Sequence, residues 1–420
     1  MVVVRTITAS LTLHKGDCED ENVLDTKMKK VVGFLARAQQ TLLEAGEAKV
    51  EAVQTVRVSC NPVEEFVDFD EGDEKAVLAQ IARLAAVAAK HEVGFLSLGP
   101  MRSSKHLALI PKILALAPHV NMSASAVQNK DDAPDFGRAL QLADVTKQVA
   151  LLGEDGQGSF RFCVSSEVPA GTPFFPASHF AANYENVCFA IGLETSSVLV
   201  QAWEVAASAE EDEIAAVHAK CQFELTTRMA DLLRPLGEAC ATLANHEGAT
   251  FFGIDASMNP SLSDPGIGHA FGTVLKRIGK ESPGSALFGS TGTLSLCFLL
   301  TKSIRDAGKA AGVTLCGYSG LMLPQMEDKG IAAAAAAGAF TVQDLLLFSS
   351  VCGVGIDTVP IPGETSREKL ALLFMDMWAL STKWSKPLSC RVLPVAGKKA
   401  GEETNTSNPF LCNSVVLGLT

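Results

Sequence analysis

Apolar residues along this chain recur with two different periods, and the switches between them mark out the secondary structure. Short runs rich in β-branched residues at Val2–Thr8, Val53–Ser59, Val93–Leu98 and Val120–Val127 read as strands. Ser159–Ser166, Asn186–Leu193, Phe251–Ser257, Val313–Cys316, Gly355–Val359 and Leu388–Val395 read the same way. Between the first two runs, Glu21–Ala48 places Val23, Met28, Val32, Leu35, Ala38, Leu42 and Leu43 at helical spacing. Glu74–His91, Ser104–Ala117, Phe136–Leu152, Pro265–Gly279 and Gly292–Ala310 are also helical. Glu210–His246 predicts a long helix broken or kinked near Pro235, which cannot donate a backbone hydrogen bond. Strands alternating with helices imply parallel strands joined by crossover helices, an α/β architecture.

No fixed-period repeat and no Pro/Ser linker divides the chain, so one domain spanning residues 1–420 is expected. The main loops are predicted at Asn61–Gly72, Lys130–Pro134 and Gly153–Gly158. The polar tail Gly397–Asn408 is expected to be a mobile loop ahead of a last short strand.

Composition narrows the class. Hydrophobic residues make up 47% and charged residues 20% of the 420 positions, which supports a large core and argues against long disorder. A formal net charge of −12 argues against nucleic acid or an anionic membrane as the main partner. A local basic pocket in an acidic protein still leaves a small anionic metabolite open as a ligand. Eleven cysteines, an odd number with no C-x-x-C pair, fit neither a disulfide framework nor a zinc ribbon. They point to a reducing compartment and mostly to buried, inert thiols. The N-terminus lacks the basic start and apolar core of a signal peptide, and no window reaches the ~20 apolar residues of a membrane span. A soluble, cytoplasmic protein is therefore expected. The alanine-rich helices leave a homo-oligomer open, and the sequence names no metal or cofactor.

Candidate chemistry gathers at predicted strand ends. Phe288–Ser295, FGSTGTLS, precedes an apolar helix, so Gly289, Thr291 and Thr293 could cradle a phosphate or carboxylate. The same residue types serve for ordinary helix capping by Thr291 or Ser290. Asp255 and Ser257 leave a hydrophobic strand, where parallel sheets commonly face ligand. An Asx turn is the alternative. Cys352 and Asp357 share the segment VCGVGIDTVPIPG. A nucleophilic Cys352 would need a cation or helix N-terminus from elsewhere in the fold, and Asp357 would need a partner among its apolar neighbours. Arg5 and Arg57 sit in apolar strands, so each should pair with a carboxylate or a bound anion. Glu327-Asp328 precedes a small-residue helix, whose N-terminus it would favour electrostatically. His179, in PFFPASHF, falls in a Pro-rich turn expected to lie over a site. No P-loop, H-E-x-x-H or G-x-S-x-G pattern occurs.

With these residues the chain resembles uncharacterised protein family 0210, also called domain of unknown function 711. The most specific part is Gly317-x-Ser319-Gly320-x-x-x-Pro324-x-x-Glu327-Asp328-x-Gly330, followed by Cys352-x-x-Gly355-x-Asp357 with Ile361, Pro362 and Thr365. Phe252-Gly253-Ile254-Asp255 with Ser257 and Pro260, and Arg57-Val58-Ser59 with Pro62, extend the match. The resemblance implies a fold like that of pyruvate formate-lyase, a large β/α barrel made of parallel halves. It does not carry over radical chemistry, because no R-V-x-G-aromatic loop follows Arg391-Val392. The chain departs from the family at Thr291, where bacterial members commonly show a histidine, and at QNKDDAPD, which replaces a Gly/Ser/Lys loop. The His179 turn matches only with a one-residue shift.

The leading expectation is an enzyme acting on a small anionic metabolite inside a barrel. Asp255, Asp357, Cys352 and His179 are the candidate catalytic groups. Arg5, Arg57, Ser257, Gly289, Thr291, Thr293, Ser319, Gly320 and Glu327 are the candidate binding groups. The alternative is a ligand-binding or regulatory protein without catalysis on the same fold.

Overall fold

A computed structural model describes residues 2–69, 73–128, 135–153, 157–208, 214–262, 265–280 and 286–419. The predicted loop Lys130–Pro134, the end of Asn61–Gly72 and residues 129–134 of QNKDDAPD lie outside the described residues, as does the middle of Gly153–Gly158.

The strands are β1 (Val2–Leu11), β2 (Val50–Cys60), β3 (Leu96–Met101), β4 (Val120–Ser125), β5 (Phe162–Ser166), β6 (Cys188–Glu194), β7 (Thr250–Asp255), β8 (Gly355–Pro362) and β9 (Leu388–Val395). The helices are α1 (Glu21–Glu44), α2 (Glu74–Lys90), α3 (Ile110–Ala115), α4 (Phe136–Ala150), α5 (Ser196–Ala207) and α6 (Ile214–Glu247). They continue with α7 (Ile267–Gly279), α8 (Thr293–Ala311), α9 (Lys329–Ala336), α10 (Val342–Ser349) and α11 (Arg367–Trp384). The hydrophobic pattern did not mark α5, α10 or α11. Helix α10 is only 8 residues long, and α5 opens on the strand-like run SSVLV, so local periodicity favours neither. Helix α6 runs unbroken through Pro235.

The nine strands pair in the order β7-β6-β1-β2-β3-β4-β5-β9-β8. β1 to β5 are parallel neighbours, as are β6 with β7 and β8 with β9. Two junctions correct the all-parallel expectation, because β1 meets β6 and β5 meets β9 antiparallel. The first follows from chain connectivity. A parallel return needs a crossover element, and the stretch between β5 and β6 contains no helix.

β7 and β8 are the edges of this order, and one irregular segment touches both. Ile254 exchanges backbone bonds with Thr314 and Cys316, and Met258 with Gly320 and Met322. Farther along, Pro324 bridges Asp357, and Gln325 N–H donates to the Asp357 carbonyl. The expected strand at Val313–Cys316 is thus a single bridge at Leu315 within this segment. The tail also bonds back: Thr404 N–H to Ser414, Cys412 N–H to Met326 and Leu417 N–H to Pro360.

Alternation along the strands separates two environments. Val58, Cys60, Leu96, Leu98, Val120, Met122, Phe162, Val164, Cys390 and Val392 join helix residues in one apolar core. The intervening residues Ser59, Ser97, Asn121, Ser123, Ser165, Ser389 and Arg391 are also buried, yet polar. Residues 169–180 satisfy several of them. Thr8 Oγ1 donates to the Pro173 carbonyl and Ser97 Oγ to the Ser178 carbonyl, while Ser178 Oγ reaches Ser59 Oγ at 3.0 Å. This finger fills the polar face of the sheet and carries Phe174 against Gly192, where a Cβ would lie 2.5 Å from the ring.

The bridging segment depends on close backbone approach. A Cβ on Gly320 would stand 2.3 Å from the Gly353 Cα. Gly320→Ala is expected to lower unfolding free energy by about 1–3 kcal/mol, read from urea denaturation. Gly46→Ala, where a Cβ would meet nothing within 4 Å, is expected to change it little.

Candidate functional site

Three arginines and two acids meet in a cavity of about 80 Å³, between the polar face of the sheet and the finger. Arg5 comes from β1, Arg57 from β2 and Arg391 from β9. Asp357 comes from β8, and Glu327 from the chain just past the bridging segment. Phe174, Phe175 and Pro176 of the finger, with Phe95, Phe160, Tyr318 and Phe410, supply an aromatic wall.

Arg391 is the hub. Its Nε donates to Asp357 Oδ1 at 2.6 Å, its Nη2 to Glu327 Oε1 at 2.8 Å and its Nη1 to the Phe160 carbonyl at 3.2 Å. Burial alone would pull its pKa down, but the charges of Asp357 and Glu327 outweigh burial and raise it above the ordinary range. Glu327 also meets Arg5 Nη2 at 3.4 Å, and Arg5 Nη1 is held by Glu194 at 3.0 Å. Burial raises the Glu327 pKa; the Arg391 charge opposes that shift and the Asp357 charge adds to it. A carboxyl poised in this way can hold or release a proton.

Arg57 is different. Its Nε donates to Thr55 Oγ1 at 3.1 Å, and its guanidinium lies 4.8 Å from the Phe95 ring centre and 5.3 Å from that of Phe175. No carboxylate lies within ion-pair distance of it among the described residues. Burial, then the neighbouring Arg5 charge, pulls its pKa down to about 9, so it stays charged at neutral pH. The planar head group, clasped by two rings, presents its remaining N–H donors toward the cavity.

A bulge aims Asp357. The β8–β9 register shifts between Ile356 and Val359, and Thr358 takes φ +42°, strained for a β-branched residue. Its buried Oγ1 has no hydrogen-bond partner among the described residues. Strain of this kind persists only where surrounding contacts over-determine the backbone, here the Arg391 ion pair and the Pro324 bridge.

The other sequence candidates fall elsewhere. Asp255 lies beneath the 317–320 turn and outside the cavity lining. It accepts from Ser257 N–H (3.0 Å) and Oγ–H (2.6 Å), Tyr318 N–H (2.9 Å) and Ser319 N–H (3.0 Å). Burial pushes its pKa up to about 6 against these donors, so it is ionised at neutral pH. Ser257 Oγ in turn accepts from Gly320 N–H, and Ser319 Oγ donates to the Cys316 carbonyl. Cys352 is buried, and its carbonyl, with that of Ser349, accepts from Lys386 Nζ, the cation that β9's approach brings close. Thr293 Oγ1 donates to the Ser290 carbonyl and accepts from Gly289 N–H, while Thr291 is exposed. The N-cap of α8 is Gly292 rather than Thr291 or Ser290. His179 faces a separate groove.

The 317–330 motif can now be explained position by position. A Cβ on Gly317 would lie 2.1 Å from Asp255 Oδ2, and Gly320 touches Gly353. Pro324 bridges β8, and Glu327 reaches Arg391 and Arg5. Asp328 accepts from Ile331 at the start of α9 and from Ile267 and Gly268 at the start of α7. Gly330 packs on Gly268, where a Cβ would fall 2.8 Å from its Cα. The two adjacent acids therefore do different jobs: one caps helices, and the other serves the cavity. Sequence reasoning left out Arg391 as a site residue, although the signal used for Arg5 and Arg57, a guanidinium in an apolar strand, was present there too. The aromatic wall carried no local signal.

Two stability tests follow. Asp255→Asn keeps one acceptor oxygen and turns an NH₂ toward Tyr318 N–H, so a loss of about 1–3 kcal/mol is expected in urea denaturation. The sign with pH is set by the raised pKa: the wild-type carboxyl favours folding below about 4 and gives that part up as pH rises through about 6. Thr358→Gly releases strain and an orphaned hydroxyl, at the cost of a more flexible unfolded chain. A net gain of about 1 kcal/mol is expected by the same measurement.

Among the described residues, no helix is long and apolar enough to cross a membrane, and no group of three His, Cys, Asp or Glu side chains could hold a metal ion. A family model described as Uncharacterised ACR (DUF711) matches residues 1–407. A UPF0210 protein of Acetivibrio thermocellus is 26% identical over 416 residues, covering 95% of this chain and 87% of the relative. One from Oleidesulfovibrio alaskensis is 28% identical over 412 residues, with coverage of 95% and 87%. One from Neisseria meningitidis serogroup B is 25% identical over 410 residues, with coverage of 95% and 86%. The cavity, the motif that builds it and the match along nearly the whole chain agree: the protein belongs to the DUF711 family, whose curated relatives are the UPF0210 proteins.

Proposed function

We propose that the protein is an enzyme that binds a small carboxylate at Arg57 and moves a proton on it with Glu327. The observation that carries this reading is Arg57 itself, a guanidinium clasped between two phenyl rings with no acidic partner among the described residues. An anion is the natural complement of such a group. The cavity volume of about 80 Å³ favours a molecule no larger than benzene, which occupies engineered cavities of about 150 Å³, and disfavours a nucleotide. Glu327 would act as acid or base, with Asp357 and Arg391 fixing its position and Arg5 compensating its charge. Residues 314–325, which bridge both edge strands of the open nine-stranded sheet, support a barrel of the pyruvate formate-lyase kind around this cavity. One apolar core cluster running from Val2 to Val392 supports a single domain, and eleven unpaired cysteines support a cytoplasmic setting.

One observation favours the non-catalytic alternative: both acids are already tied to arginines, so neither is a free base in this state. Calorimetric titration with pyruvate, lactate and butyrate, and NMR of deuterium exchange into each, separates the two readings. For the enzyme, wild type exchanges a C–H proton of one of them, and Glu327→Gln loses exchange while still binding. Arg57→Ala weakens binding by about tenfold or more, the loss of one charge-assisted contact. Tight binding without exchange or turnover would mean a sensor. Equal affinity in Arg57→Ala would sink both readings.

A further inference from the structure

A second concavity, of about 530 Å³, opens at the carboxyl ends of β3, β4 and β5 and shares no lining residue with the arginine cavity. Ligand crevices of parallel sheets form at this end of the strands, and the volume is in the range that holds a sugar-sized molecule. His179 lines it, although only 6% of the residue is exposed. Its Nδ1 lies 3.3 Å from the Ala177 carbonyl, which can only accept, so Nδ1 carries the proton and Nε2 presents a lone pair. Nε2 has no hydrogen-bond partner among the described residues. A buried imidazole with one nitrogen unused and a groove in front of it is a ligand-facing acceptor. Burial pushes its pKa down to about 4, so the ring is neutral at physiological pH.

The backbone is shaped to hold this ring. Gly99 takes φ +72° at a register shift in β3, and a Cβ there would lie 3.0 Å from the Pro62 Cα and 3.2 Å from the His179 Cβ. Arg102, just past β3, also lines the groove. Its guanidinium is half exposed and, among the described residues, makes only a 3.4 Å contact with Glu65. Ser125, Ser165 and Glu167 line the remaining wall.

We propose that this groove is a second ligand site that takes a small hydroxylated anion, a hydroxyl donating to His179 Nε2 and the anionic group resting on Arg102. The ligand is of sugar-acid or sugar-phosphate size, and the site does not depend on occupancy of the arginine cavity.

The test is calorimetric titration of the full chain with D-gluconate and glycerol 3-phosphate, with butyrate and sulfate titrated into Arg57→Ala, where the arginine cavity no longer contributes, as controls without hydroxyls. Saturable binding of at least one hydroxylated anion is expected, with a shift of the His179 Nε2 resonance in ¹⁵N NMR. Arg102→Ala and His179→Ala should each weaken it by about tenfold or more, and Arg57→Ala should leave it unchanged. His179→Phe, which keeps the ring and removes the acceptor, serves if the alanine variant does not fold. Absence of saturable binding up to roughly 10 mM, far weaker than usual metabolite affinities, would overturn the proposal. So would affinity equal to wild type in Arg102→Ala and His179→Phe, or binding of butyrate and sulfate to Arg57→Ala as tight as that of the hydroxylated anions. Binding lost in Arg57→Ala would place the ligand in the arginine cavity instead, overturning the second site while supporting the first.

Discussion

The buried guanidinium of Arg391, shared between Asp357 and Glu327, is the interaction on which the rest of the molecule's inner organisation depends. Three charges taken out of water are tolerable only when each has its partners in good geometry. Removing any one of them would leave an uncompensated charge, so the three elements that carry them must keep their alignment. That requirement accounts for the bulge at Thr358, which turns Asp357 toward β9. It also accounts for the course of the chain from Pro324 to Glu327, pinned to β8 on one side and to α7 and α9 through Asp328 on the other. The ion cluster and the backbone around it hold each other in place.

Around this cluster the sheet has two unlike faces. One packs on helices in the ordinary way, by apolar burial. The other is lined by hydroxyls, an amide and arginines, and would be costly to bury against an apolar layer. The 169–180 finger resolves the conflict by offering carbonyls to Thr8 and Ser97, a hydroxyl to Ser59 and an aromatic face to Arg57. It leaves unfilled the space beside Arg57. The same finger ends in His179 at the opposite end of the parallel strands, so one short segment contributes to both concavities.

Glycines set the tolerances of this arrangement. Gly317 yields to the Asp255 carboxylate, Gly320 to Gly353, and Gly268 to Gly330. At each point the backbones or side chains of distant segments come closer than a Cβ allows, which is why these residue types recur at motif positions that otherwise look like unrelated loops.

Local sequence determined much of the outer architecture. The α/β alternation, the strands from β1 to β9 and most helices follow from periodicity, because each buries an apolar face that recurs at its own spacing. The positions of Arg5, Arg57 and Asp357 as charges needing partners were also legible, since a charge in an apolar strand is costly alone wherever the strand lies. Short or strand-like helices such as α10 and α5 were not, because too few turns leave no period to read. Tertiary structure alone decided which charges meet. Arg57 and Phe175 are far apart in the chain, as are Arg391 and Glu327, and their contact depends on strand order, not on local spacing. It likewise moved Asp255 from a candidate catalytic position to a turn acceptor, because the donors that converge on it come from both Ser257 and the Tyr318–Ser319 turn. Periodicity records which face of an element is buried. What that face is buried against is fixed only when the whole chain has closed on itself.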